Sequence, residues 1–250
     1  MIVFALILIL QIACVVHCVR HGRSGLWILG IIFFPLIGSA AYVIVEVLPG
    51  RARRDMRIAG QAAVRRIDPE REVRAARDAL DTADTAANRI ALGDALAGQE
   101  KWSDAVLHYR EALFKVPLAD RPTQLKLARA LLESGNAAEA LRLVETLPAT
   151  QSAAETDRAA LLQARALAET GERDQAIAIL ADIGTRMPGG EAQCRQAALL
   201  IEAGRDAEAV VPLAEAERRA RTLDRYEKVR DRDMYAWAAR TLADLRIRGF

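Results

Sequence analysis

The 250-residue chain holds three cysteines, three histidines and four lysines, and its first 49 residues carry only Arg20, Arg23 and Glu46 as full charges. Each scarcity excludes something. Cys14, Cys18 and Cys194 are an odd set, two of them inside an apolar run, so they cannot form the even disulfide framework of a small secreted domain. They point to a reducing side for the soluble part. A net charge of +2 is too small for a nucleic-acid binder, which concentrates a basic face. His17 and His21 lie in or beside the apolar segment, and His108 lies in the repeat region. Beyond residue 50 there is no nucleophile–base motif, Gly-rich phosphate loop or Cys/His metal spacing, so the sequence offers no catalytic residue, metal or cofactor site and reads as non-enzymatic.

What is present divides into a part suited to lipid and a part suited to water. Met1 to Val19 and Leu26 to about Leu48 are apolar runs, each long enough for the ~20 helical residues that span a bilayer core. The polar turn Arg20-His21-Gly22-Arg23-Ser24-Gly25 joins them, so residues 1–49 read as a transmembrane helical hairpin. A cleaved signal peptide is disfavoured, because a charged leading region and a small-residue cleavage site are missing. Cys14, His17, Cys18 and His21 share one helical face at i, i+3, i+4 and i+7. The outer two are ~10 Å apart along the axis, so one helix cannot close a tetrahedral metal site and packing is the simpler role.

The second run, with Trp27, then Phe33-Phe34-Pro35-Leu36-Ile37-Gly38 and Tyr42, resembles the N-terminal two-helix membrane segment of phospholipase-D-type cardiolipin synthases. The resemblance covers about the first 46 residues and stops there, since the His-x-Lys-x4-Asp motif of that family's catalytic part does not occur. Residues 50–67 form a basic juxtamembrane linker in which Arg51, Arg53, Arg54 and Arg57 are candidates for contact with anionic lipid. With Arg65 and Arg66 they outweigh Arg20 and Arg23, and the positive-inside rule then keeps the following domain cytoplasmic.

From residue 68 the chain becomes self-similar. Gly135 precedes Glu139-Ala140, Gly171 precedes Gln175-Ala176, and Gly204 precedes Glu208-Ala209, while Glu100 holds the glycine position before Asp104-Ala105. Ala105 is 35 residues from Ala140, which is 36 from Ala176, which is 33 from Ala209. A period near 34 is that of tetratricopeptide repeats. The first unit is similar to that family at Leu92-Gly93, Leu96, Trp102, Ala105, Tyr109, Ala112 and Pro117. The resemblance implies an all-α, right-handed helical-repeat solenoid over 68–250, with units at about 86–119, 121–153, 157–189 and 190–222. Helices at 68–81 and 225–248 cap it, the first opened by Asp68 as N-cap and Pro69 at the first helical position. Departures are Leu147 and Ile183 at small-residue positions, and Pro212, which removes a backbone donor inside a helix.

The same resemblance implies a concave groove lined by the first helix of each unit, where a protein or peptide partner binds. Its groove positions here include Leu125, Lys126, Arg129 and Leu132, then Leu161, Leu162 and Arg165, then Arg195. Arginine can grip a carboxylate through two parallel hydrogen bonds, so an acidic, partly apolar partner fits. An ordinary solvated face with Arg129–Glu133 and Arg165–Glu169 pairs accounts for the same residues. The asparagines of carboxylate-clamp repeats are absent. The expectation is a membrane-anchored scaffold for protein partners. The alternative is a structural subunit of an inner-membrane transport or envelope-assembly complex of the TonB type, with a periplasmic repeat domain. Nothing in the sequence fixes the oligomeric state.

Overall fold

A computed structural model describes residues 11–18, 20, 26–33, 39, 41–42, 68–115, 120–223 and 231–250. It divides into two units, Met1–Pro69 and Glu70–Phe250. In the first, residues 11–18 are helical and α1 spans Leu26–Phe33. The two runs touch: Gln11 Nε2 donates to the Ile31 carbonyl at 2.8 Å, and His17 Nδ1 shares a 2.9 Å hydrogen bond with the Tyr42 hydroxyl. Trp27 meets Tyr42 edge to face at 5.6 Å, and Cys14, Cys18, Ile31 and Tyr42 are buried together. No helix among the described residues is long and apolar enough to cross a membrane. Most of the Phe33-to-Gly38 pattern, His21 and the linker arginines Arg51, Arg53, Arg54 and Arg57 lie outside the described residues.

The second unit is built of helices, and no strand occurs among its described residues. Helix α2 spans Arg71–Thr82, and four hairpins follow: α3 (Ala86–Ala97) with α4 (Trp102–Lys115), α5 (Arg121–Glu133) with α6 (Ala137–Glu145), α7 (Ala153–Glu169) with α8 (Arg173–Gly184), and α9 (Glu191–Glu202) with α10 (Asp206–Thr222). Helix α11 spans Arg232–Ile247. Each helix packs on the next one, and α5 also packs on α7.

Local chemistry sets these boundaries. Thr85 and Ser152 accept from the backbone N–H groups of Asn88 and Glu155, satisfying donors that the first turn of a helix leaves open. Helix α2 starts at Arg71 rather than Pro69, and its N-cap is Glu70, not Asp68. The Glu70 carboxylate makes no cap and instead reaches Lys101 Nζ at 2.9 Å, which holds its pKa below the usual glutamate value.

All four hairpins turn in the same way. The N–H groups of Lys101, Asn136, Glu172 and Arg205 reach back five residues to the carbonyls of Leu96, Leu131, Leu167 and Leu200 at 2.8–3.0 Å. That closure needs a left-handed residue just before the donor. Gly135, Gly171 and Gly204 supply it at φ 81°, 98° and 71°, and Glu100 adopts it at φ 59° despite its side chain.

Small residues let the helices approach. Ala105, Ala128, Ala140, Ala164, Ala176, Ala197 and Ala209 are all fully buried. Leu96, Leu131, Leu180, Leu200 and Leu213 fill the spaces between them. At ~25 cal/mol per Å² of apolar surface this burial is the main favourable contribution to folding. Leu147 packs on the core at its edge, and Ile183 is fully buried, so both large residues are accommodated. Helix α10 continues through Pro212. At the far end Leu242 and Leu245 are buried and Met234 and Trp237 pack beside them; Tyr226 and Val229 lie outside the described residues.

Candidate functional site

The residues expected to line a groove separate into three groups. Leu125, Leu132, Leu161 and Leu162 are only 4–8% exposed and belong to the core clusters, so they offer no apolar surface to a ligand. Helix α5 packs on α4, α6 and α7.

The second group is basic residues already paired with acids, two of them in neighbouring units. Lys126 Nζ lies 2.7 Å from Asp94 Oδ2, and the other oxygen of Asp94 accepts from the Tyr109 hydroxyl at 2.8 Å. Burial, with Asp94 beside it, pushes the Tyr109 pKa far above the usual phenol value. Arg165, with its side chain 12% exposed, donates from Nη2 to Glu133 Oε1 at 3.0 Å. No ion pair joins it to Glu169 among the described residues. Arg165 thus bridges successive first helices instead of pairing within its own. Arg195 pairs with Glu191 one turn earlier at 2.9 Å.

Arg129 is the third case. Its side chain is 63% exposed, its Nε is 3.9 Å from Glu133, and its guanidinium carbon sits 5.7 Å from the centroid of the half-buried Trp102 ring. A cation over an indole face is held without being neutralised. Arg129 is therefore the most exposed basic residue of the expected set, and Trp102 orients it.

A second feature escaped the repeat pattern. Helices α8, α9 and α10 bound a cavity of about 500 Å³, lined by Ile177, Gln193, Leu200, Glu208, Pro212 and Arg219 among others. Arg219 donates from Nη1 to the carbonyls of Met187 (2.7 Å) and Gly189 (2.9 Å), from Nη2 to that of Gly184 (2.7 Å), and from Nε to Glu215 Oε1 (2.6 Å). It satisfies carbonyls that the end of α8 leaves open. Gln193, 4% exposed, donates its Nε2 to the same Gly184 carbonyl, but its Oε1 has no hydrogen-bond partner. A buried acceptor left in this way costs roughly 1–3 kcal/mol. The sequence shows only Glu215, one turn earlier, as a side-chain complement for Arg219, because its other partners are backbone carbonyls. The Pro188-Gly189-Gly190 turn was the available sign of an open helix end.

Burial shifts two titratable side chains of the array. Burial and Glu191 push the Cys194 thiol up to about 11, so it stays protonated near neutrality and is a poor nucleophile. Burial and the nearby Arg89 lower the pKa of His108. No group of three or more potential metal ligands occurs among the described residues.

No protein-family model and no curated protein matches the chain. Solved structures do. MamA (residues 41 to the end) from Desulfovibrio magneticus RS-1 superposes with a TM-score of 0.54 at 17% identity, over 67% of this chain and 94% of that one. An ArsTM double mutant of MamA from RS-1 gives 0.54 at 17%, over 68% and 96%. The fold is that of a tetratricopeptide-type helical-repeat array. YrrB, described as a TPR protein with an unusual peptide-binding site, is a weaker likeness, with a TM-score of 0.48 at 18% identity over 62% of this chain and 78% of its own.

Proposed function

We propose that this tetratricopeptide-type chain is a non-enzymatic, membrane-anchored scaffold that binds a protein partner through the first helices of its repeats. The observation that supports it best is Arg129, exposed and held over Trp102 while Lys126 and Arg165 beside it are engaged by acids of the neighbouring units. A pre-oriented guanidinium suits an acidic peptide segment, since a bidentate grip on a carboxylate loses little side-chain entropy. The apolar runs at residues 1–48 anchor the protein as a two-pass hairpin, and Arg51, Arg53, Arg54 and Arg57 meet anionic lipid at its exit. By the positive-inside rule the repeat array is cytoplasmic.

Two experiments test this reading. Membrane extracts are probed by pull-down with the wild-type chain, with Arg129→Glu, and with Arg142→Glu on the exposed side of α6 as control. A partner lost only from Arg129→Glu supports the reading, and equal capture by all three refutes it. Alkaline phosphatase fused after Phe250 reports topology: no activity is expected, and strong activity would place the array outside the cytoplasm.

A further inference from the structure

We propose that the outer face of α11 is a self-association surface, on which a second copy of this chain docks antiparallel about a two-fold axis beside Ala236. It involves none of the residues around Arg129, so it stands or falls separately from the first-helix face.

Helix α11 has one side covered and one side open. Ala238, Leu242 and Leu245 are buried on the covered side, where α11 packs against α9 and α10. On the open side Asp233, Ala236, Ala239, Arg240, Ala243 and Ile247 are all exposed. The last unit of a repeat array ordinarily turns a polar face to water. Here the strip is mostly alanine and runs on to Ile247, which is 84% exposed. Alanine lets two helix axes come to the near end of their usual separation of about 8–10 Å, so the strip suits another helix.

The charges on the strip identify the occupant. Asp233 and Arg240 have no ion-pair partner among the described residues, and Arg240 Nε donates only to the Ala236 carbonyl of its own helix, at 3.2 Å. By contrast Asp244 and Asp206 are both engaged by Arg248. Asp233 and Arg240 are seven residues, or two turns, apart, so they share the strip but lie about 10 Å from each other along it. In a second copy laid antiparallel the order of the two charges reverses. Each Asp233 then faces the other copy's Arg240, and both pairs form together around an axis midway between them, beside Ala236. A parallel copy would set like charge against like. Such reciprocity is what a two-fold interface requires, since every contact must be returned by the other copy. The overlap covers about three turns of each α11, less than a standard stable interface buries, so the association is reversible.

The test traps the pair in cells expressing the full-length chain. Ala236→Cys puts a thiol beside the axis, whereas Ala243→Cys puts it about 20 Å along the helix from its counterpart. Mild oxidation should therefore give a disulfide-linked dimer with Ala236→Cys, and none with Ala243→Cys or with the wild type, whose three cysteines are buried. In the Ala236→Cys background, Asp233→Arg and Arg240→Asp should each slow cross-linking about fivefold or more, because two pairs are lost and like charges meet. The double variant, with the two charges exchanged, should recover the original rate. Co-expression of the two single variants under different tags should likewise give a mixed dimer in preference to either homodimer. No dimer with Ala236→Cys, equal trapping with Ala243→Cys, or a double variant as slow as the single ones would overturn the proposal.

Discussion

A methyl group added to Gly93 would lie 2.6 Å from Cε1 of Tyr109, well inside contact distance. The tyrosine ring therefore occupies the space of a missing side chain, and its hydroxyl is fixed by Asp94 at 2.8 Å.

Gly93→Ala should accordingly lower stability, although alanine is the better helix former by about 1 kcal/mol. Overpacking of this kind costs about 1–3 kcal/mol and outweighs the propensity gain. The measurement is a urea melt. Tyr109→Leu, which clears the space, should make Gly93→Ala neutral or favourable in the double variant. Additive losses in the two single variants would show that the contact is not what fixes Gly93.

Glu100 offers the opposite case. A side chain in the left-handed region costs roughly 1–2 kcal/mol, and glycine escapes that at some loss of chain entropy. Glu100→Gly should raise the melting temperature, while Gly171→Ala, in the same turn of the third hairpin, should lower it. A Glu100→Gly protein no more stable than wild type would mean that the Glu100 turn is unstrained.

Arg129 and Arg165 occupy equivalent places in their units but should respond differently to charge reversal. Arg165→Glu sets two carboxylates against each other where Glu133 now accepts a hydrogen bond, so a thermal melt should fall by several degrees. Arg129→Glu, at a mostly exposed site, should leave the melt nearly unchanged. If both variants melt alike, Arg165 is not the tie between units that its geometry indicates.

Glu215 carries a pH signature. Arg218 and Arg219 hold its pKa at about 2, below the ordinary value of 4.5. A depressed carboxyl pKa stabilises the fold fully above the unfolded value, and that stability is lost as the pH falls through 4.5 toward 2. Wild type should therefore exceed Glu215→Gln in stability at pH 7, with the gap closing by about pH 2. A gap that stays constant from pH 7 to pH 2 would assign the difference to shape rather than charge.

The sequence made the array legible because its signals are local and repeated. Leucine and alanine recur at helical spacing, and Gly135, Gly171 and Gly204 mark turns that only a left-handed residue completes. Even Glu100 betrayed its turn by position alone. The binding residues were less legible, because exposure is a property of neighbours. Leu125 and Leu162 look like groove residues on an isolated helix and become core once α5 and α7 meet. Arg165 looks paired to Glu169 within one helix, yet its partner comes from the unit before. Gln193 and Arg219 converge on the Gly184 carbonyl, and backbone acceptors leave no trace in side-chain pattern.

The bridges between first helices also bear on how such a chain can change over generations. Asp94–Lys126 and Glu133–Arg165 both span 32 residues, but the first acid lies within α3 and the second ends α5. Shifted by one repeat, Asp94 corresponds to Arg129, and Lys126 to Leu162. These two junctions thus carry different keys, each cut for one neighbour. Duplicating, excising or shuffling a unit would bring Asp94 against Leu162, or leave Arg165 without its acid. The backbone is modular, while its charges fix the order in which the modules are read.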